Sequence, residues 1–107
     1  MSPLPGDVWT ADLGLAAKFR PVVIVSRQDA DPPRALVIYV PVTSQNRASQ
    51  YEVILPKLRF LEEGSVANVQ GIGSVPHVRL GRKLGRLPGT AMADIKKAIR
   101  WALELDE

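Results

Sequence analysis

A mainly β, antiparallel fold with one C-terminal helix is what this sequence predicts, on three observations. Nine prolines and eight glycines punctuate 107 residues, and the segments between them are short and rich in β-branched residues, as strands are. Most links between those segments are too short for the helical crossover that parallel strands require. A single stretch, near the C-terminus, carries helical periodicity.

Taken in order, Gly6 to Leu13 alternates, with Val8, Thr10 and Asp12 on one side and Trp9 and Ala11 on the other, which predicts a first strand. Pro21 to Ser26 is a nearly continuous β-branched run that suits a buried strand beginning at its proline. After a turn at Asp29 to Pro33, the segment Ala35 to Thr43 is too long and too apolar for an exposed edge. Asn46 to Gln50 joins it to a short alternating strand, Tyr51 to Leu55. Pro56 to Glu63 has the length of one helical turn, which Gly64 would end. Ser65 to Val78 reads as one or two strands, and its Gly71 and Gly73 mark a bulge or a close backbone approach.

The helix is expected over Ala91 to Glu104, free of Gly and Pro, with Thr90 as its N-cap after Pro88 and Gly89. Its apolar residues, from Ile95, Ala102, Ile99, Met92 and Leu103 round to Leu105 and Trp101, span roughly 200°, about twice the width of one packed face. Deep seating on a sheet accounts for that arc. A sharper reading has Trp101 also facing a second subunit or a bound partner.

Length and composition, 46% apolar and 23% charged, fit one domain over residues 1–107 and exclude a disordered chain. There is no cysteine, so disulfides and thiolate metal sites are excluded. The first residues lack the basic and apolar regions of a signal peptide, and no apolar run is long enough to cross a membrane as a helix. A cytoplasmic protein, with no membrane association, is the expectation.

The charge is uneven. Residues 1–53 carry five basic and five acidic side chains, while the remainder carries nine basic and six acidic. No carboxylate lies between Gly64 and Ala93, and Arg79, Arg82, Lys83 and Arg86 fall within eight residues. Such a block favours a polyanion, though a solvated loop has the same composition. Neutralising four phosphates of a single strand predicts a log–log salt slope of about −3.

The common catalytic inventories fail. With one His and no Cys, neither a Ser-His-Asp arrangement nor metal-ligand spacing is present. Gly71-Ile-Gly73 and Gly81 to Gly85 match neither a dinucleotide fingerprint nor a P-loop. No cofactor or metal is expected. What remains is Arg, Thr, Ser and Gln at strand ends, groups that bind phosphate and stabilise charge on it. Arg20, just before Pro21, could present a planar fork to a phosphate or simply extend into solvent. Thr43, Ser44 and Gln45 follow where an apolar strand breaks off, as turn chemistry also would. Gln70 could read a base edge or face water. His77 is the one imidazole of the chain, and a lone His in a strand is more often a packing or surface residue.

Gly6-Asp7-Val8-Trp9, Arg20-Pro21 with its β-branched run to Ser26, Val40-Pro41-Val42-Thr43-Ser44-Gln45, Glu52 to Leu55, Gln70, and Leu84-Gly85-Arg86-Leu87 together resemble the MazF/PemK family of toxin endoribonucleases, in order and spacing over nearly the whole chain. The resemblance implies a small SH3-like β-barrel with a C-terminal helix, a homodimer, and pairing with an antitoxin whose tail occupies the RNA groove. It implies metal-independent, sequence-selective cleavage of single-stranded RNA. Arg20 falls on the family's catalytic arginine and Thr43 on its catalytic threonine. Ser44, Gln45, Gln70, Arg79, Arg82, Lys83 and Arg86 then fall to RNA binding. Three departures stand out: Gly14 to Phe19 lacks the acidic residue some members place there, the spacing from Gln70 to Arg79 is one residue longer, with Gly73 the insertion, and His77 has no counterpart.

The competing expectation keeps the fold without catalysis, as a protein-binding toxin resembling the CcdB gyrase poisons or an RNA-binding relic. A third, an SH3-like interaction module, needs an exposed aromatic groove, for which six aromatics leave little.

Overall fold

The computed structural model describes residues 2–14 and 19–105. Its elements are β1 (Asp7–Ala11), β2 (Arg20–Ile24), β3 (Leu36–Thr43), β4 (Glu52–Ile54), β5 (Val66–Asn68), β6 (Gly73–Pro76), β7 (Leu80–Arg86) and α1 (Gly89–Ala102). Single 3₁₀ turns occupy Val69–Gly71 and His77–Arg79.

All strand pairs are antiparallel, in the order β4-β5-β3-β2-β1-β7, with β6 also on β3. The long third strand is the hub. One edge pairs with β2, while the other pairs with β6 over Leu36 to Tyr39 and with β5 over Val42 and Thr43. Pro41, which has no N–H to donate, falls at the changeover between those two partners, where a ladder bond is not required. The path runs open from β4 to β7 among the described residues, so the sheet is curved and barrel-like without closing.

Period-two alternation sends the two faces of the sheet into two cores. Val8, Val23, Val40 and Val42 pack with Leu87, Ala91, Met92 and Ile95 beneath α1. Trp9, Ala11, Val22, Ile24, Val37 and Val75 form a second cluster. Strands buried on both sides explain why β2 reads as a continuous apolar run. Fully buried Ile95 seats the helix, and its burial contributes about 2–3 kcal/mol.

Two expectations, for Pro56 to Glu63 and for the helix bounds, are corrected, and one block left without an element gains one. Pro56 to Glu63 forms turns rather than a helical turn. Gly64 adopts φ +83° there, a left-handed conformation that glycine reaches without strain. The block Leu80 to Arg86 is a strand along β1, with register shifts around Trp9. The helix starts at Gly89, not after a Thr90 cap, because the Pro88 carbonyl already accepts from the Met92 N–H (3.1 Å). It ends at Ala102. Glu104 turns left-handed (φ +54°), and the Glu104 and Leu105 N–H groups donate to the carbonyls of Trp101 (3.2 Å) and Arg100 (2.9 Å), a Schellman closure. No helix among the described residues is long and apolar enough to cross a membrane.

Candidate functional site

Arg20 opens β2, opposite Ala11 of β1. On its other side β2 pairs with β3 in the register Val22↔Pro41, Val23↔Val40. That pairing ends at Val22↔Pro41, and Arg20 and Thr43 lie just beyond it, at the adjoining ends of β2 and β3. Both line one cavity of about 570 Å³, together with Leu13, Pro41, Gln45, Arg47, Ser49, Tyr51, Glu52, Asn68 and Gln70.

Local bonds set these groups. The Thr43 Oγ1 accepts from the Gln45 N–H at 3.1 Å, which leaves its own O–H proton free to donate elsewhere. The Asn68 Oδ1 accepts from the Gln70 N–H at 3.1 Å and so opens the 3₁₀ turn that carries Gln70. Gly71 follows because a Cβ there would lie 2.7 Å from Pro41 Cγ. The close approach expected of the paired glycines is therefore at Gly71, and it brings the Gln70 turn down onto β3.

Glu52 accepts from the backbone N–H groups of Arg47 (3.0 Å) and Ser49 (2.9 Å). Those two donors hold its carboxyl below the usual range. Among the described residues no carboxylate oxygen lies within 4 Å of the Arg20 or Arg47 guanidinium.

The structure does not bring every expected group here. Ser44, Arg79, Arg82, Lys83 and Arg86 do not line the cavity. Lys83 and Arg86 turn to Asp7 instead, at 3.4 and 2.8 Å. Asp7 is 1% exposed. Burial pushes its carboxyl up, but donors from the Leu4 N–H and the Trp9 indole, with the Lys83 charge, outweigh burial and hold it below the usual range. His77 is exposed in its 3₁₀ turn and borders a second cavity of about 670 Å³ with Arg34, Leu36 and Ile38. Trp101 is 43% exposed, and its ring meets that of Tyr51 edge-on at 4.9 Å, behind the cavity rim. Of the segment Gly14 to Phe19, residues 15–18 lie outside the described residues.

Arg47, Glu52 and Asn68 escaped the sequence reading. A signal was available: Ser49-x-x-Glu52 has the spacing of a capping box, in which the Glu reaches back to the Ser N–H, although here a strand follows instead of a helix. Among the described residues no group of three His, Asp or Glu side chains gathers to hold a metal ion.

A family model described as PemK-like, MazF-like toxin of type II toxin-antitoxin system matches residues 4–103. The chain is 31% identical over 103 residues to a probable endoribonuclease MazF5 of Mycobacterium tuberculosis, covering 95% of this chain and 94% of that one. It is similar to a solved endoribonuclease from Mycobacterial species in complex with its cognate antitoxin, with TM-score 0.82, 30% identity and 96% of both chains covered. A second solved structure, the Mycobacterium tuberculosis toxin MazF-mt6, gives TM-score 0.82 at 29% identity over 94% of this chain and 99% of that one.

Proposed function

Because the chain belongs to the PemK-like, MazF-like family of toxins of type II toxin-antitoxin systems, we propose that it is an endoribonuclease toxin that cuts single-stranded RNA, messenger RNA included, at selected sequences and without a metal ion. The observation that carries this reading is that Arg20, at the start of β2, and Thr43, at the end of β3, line one open cavity.

The ribose 2′-OH is a nucleophile already held beside its phosphate, so the site need only position and stabilise. Attack of the 2′ oxygen on phosphorus, its proton passing to water, forms a 2′,3′-cyclic phosphate and breaks the bond to the 5′ oxygen, which takes a proton from water and leaves as 5′-OH. Arg20 neutralises the extra charge on the pentacoordinate phosphorus, and its guanidinium, always protonated, acts electrostatically rather than as a base. Thr43, whose oxygen is occupied by the Gln45 N–H, donates its own proton to a non-bridging oxygen. Gln45 and Gln70 contact bases, and Ser44, Arg79 and Arg82 extend the phosphate path beyond the cavity.

One domain over residues 1–107 performs this, in the cytoplasm, where its substrate is. Its protein partners are a second copy of the chain and a cognate antitoxin, and the half-exposed Trp101 is a contact for them. The relatives that cover nearly the whole chain are named endoribonucleases, which favours cleavage over a CcdB-like protein-binding role.

The test incubates the purified protein with long single-stranded RNA in EDTA and maps the ends. Fragments with 2′,3′-cyclic phosphate and 5′-OH termini, absent with Arg20→Ala, are expected. Intact RNA that is nonetheless bound overturns the reading in favour of the non-catalytic one.

A further inference from the structure

The cavity contains a carboxylate, that of Glu52, which the proposed chemistry does not use. Its two oxygens face back into the loop between Thr43 and Tyr51. Oε2 accepts from the Arg47 N–H at 3.0 Å and Oε1 from the Ser49 N–H at 2.9 Å, while the Glu52 N–H donates to the Ser49 carbonyl at 3.1 Å. Two further side chains tie the same loop: Thr43 through Gln45 (3.1 Å) and Asn46 through Ala48 (2.7 Å). These bonds hold Ala48 at φ +57°. That left-handed conformation costs a residue with a Cβ about 1–2 kcal/mol, so the loop adopts it only because its surroundings impose it. The loop so fixed supplies Gln45, Arg47, Ser49 and Tyr51 to the cavity wall.

Resting on the RNA-cleaving reading above, we propose that Glu52 is a positioning residue that fixes this loop as a preformed seat for single-stranded RNA, and that Arg47 is the phosphate-binding group the loop presents. Arg47 has its backbone pinned and its guanidinium unpaired among the described residues, which is the arrangement a phosphate fork requires. Ordering the loop in advance removes a cost that RNA binding would otherwise carry. Glu52 itself is ill suited to act as the general base: its carboxyl lies below the usual range, far from the operating pH of a good proton acceptor.

The test uses the full chain with Glu52→Ala, Glu52→Gln and Arg47→Ala. Three quantities are read: amide hydrogen exchange at Arg47 and Ser49 in the free protein, Kd for the fully 2′-O-methylated form of the assay RNA, which lacks the nucleophile, and kcat and KM on cleavable RNA. Glu52→Ala should speed exchange at both amides and raise Kd and KM by about tenfold, the net worth of about one hydrogen bond, with kcat within about threefold and the shape of the pH–rate profile unchanged. Glu52→Gln, which offers one carbonyl to two donors, should fall between and decides the matter if the alanine variant does not fold. Arg47→Ala should raise Kd comparably without altering exchange at Ser49. Unchanged exchange or unchanged Kd in the Glu52 variants overturns the proposal, as does a hundredfold fall in kcat at constant KM. If the wild-type chain cuts no RNA, the enzymatic reading falls, while exchange and Kd still decide the role of Glu52.

Discussion

Arg20 and Arg47 come from the half of the chain whose charges cancel, yet both line an open cavity, and among the described residues no carboxylate oxygen lies within 4 Å of either guanidinium. Lys83 and Arg86 come from the half that holds all of the net positive charge, and both are drawn onto buried Asp7. What a cation does is set by what lies beside it after folding. A basic run read along the chain is therefore a poor guide to where a phosphate will be attracted, because strand pairing can deliver the counter-charge from far away. Here β1 delivers it to β7, while β2 and the loop before β4 place Arg20 and Arg47 at a cavity whose carboxylate, that of Glu52, is engaged by backbone N–H groups.

The widest separation of the two regions is in catalysis. Arg20→Ala and Thr43→Ala should each lower single-turnover cleavage by about 10²–10³ with little change in melting temperature; equal activity to wild type in either would remove that residue from the chemistry. Asp7→Ala should do the reverse. Losing a buried carboxylate that accepts from Leu4, Trp9 and Arg86 should lower stability by about 2–3 kcal/mol, discounted from a fully buried pair because Lys83 and Arg86 are half-exposed. Denaturant midpoints measure this, and the fraction that remains folded should cut RNA normally. A finer contrast lies in salt. Arg47→Ala should reduce the magnitude of the log–log slope for RNA binding by about 0.7, whereas Arg86→Ala should leave it unchanged, because Arg86 neutralises Asp7 instead of a phosphate. Equal changes in both would merge the two regions.

The smallest effect is in pH. Asp7 and Glu52 both have carboxyls below their usual values in the folded chain. Each therefore contributes stability that is full above the unfolded value of about 4 and is lost as pH falls through the lower, folded value. Melting temperature should decline below about pH 4, and less steeply in Asp7→Asn. A curve of identical shape in that variant would show that Asp7 takes no part.

Much of the architecture was legible because it rests on local chemistry. The β-branched runs of β2 and β3, and the helix free of Gly and Pro, announce themselves. β7 did not, since Gly81, Arg82, Lys83 and Gly85 have weak strand preference and take strand form only through pairing with β1. The turn at Pro56 to Glu63 and the early helix start at Gly89 were likewise decided by backbone bonds that composition does not display. In the site, Arg20, Thr43, Gln45 and Gln70 were singled out from sequence and do line one cavity. Asn68 and Glu52 face each other only through the β4–β5 register, and the turning of Lys83 and Arg86 toward Asp7 spans most of the chain, so neither could be read from neighbours.

The ion pair between Asp7 and Arg86 bridges a separation of 79 residues. A chain made from its N-terminus exposes Arg20 and Thr43 well before β7 exists, at about 5–20 residues per second, an interval of roughly 2–9 s. During that time β1 lacks one of its two neighbours, and the loop that must close to supply it runs from Ala11 to Leu80. The order of synthesis thus withholds the finished sheet until the last strand arrives, so that β2 and β3 are present in the polypeptide before their full support is.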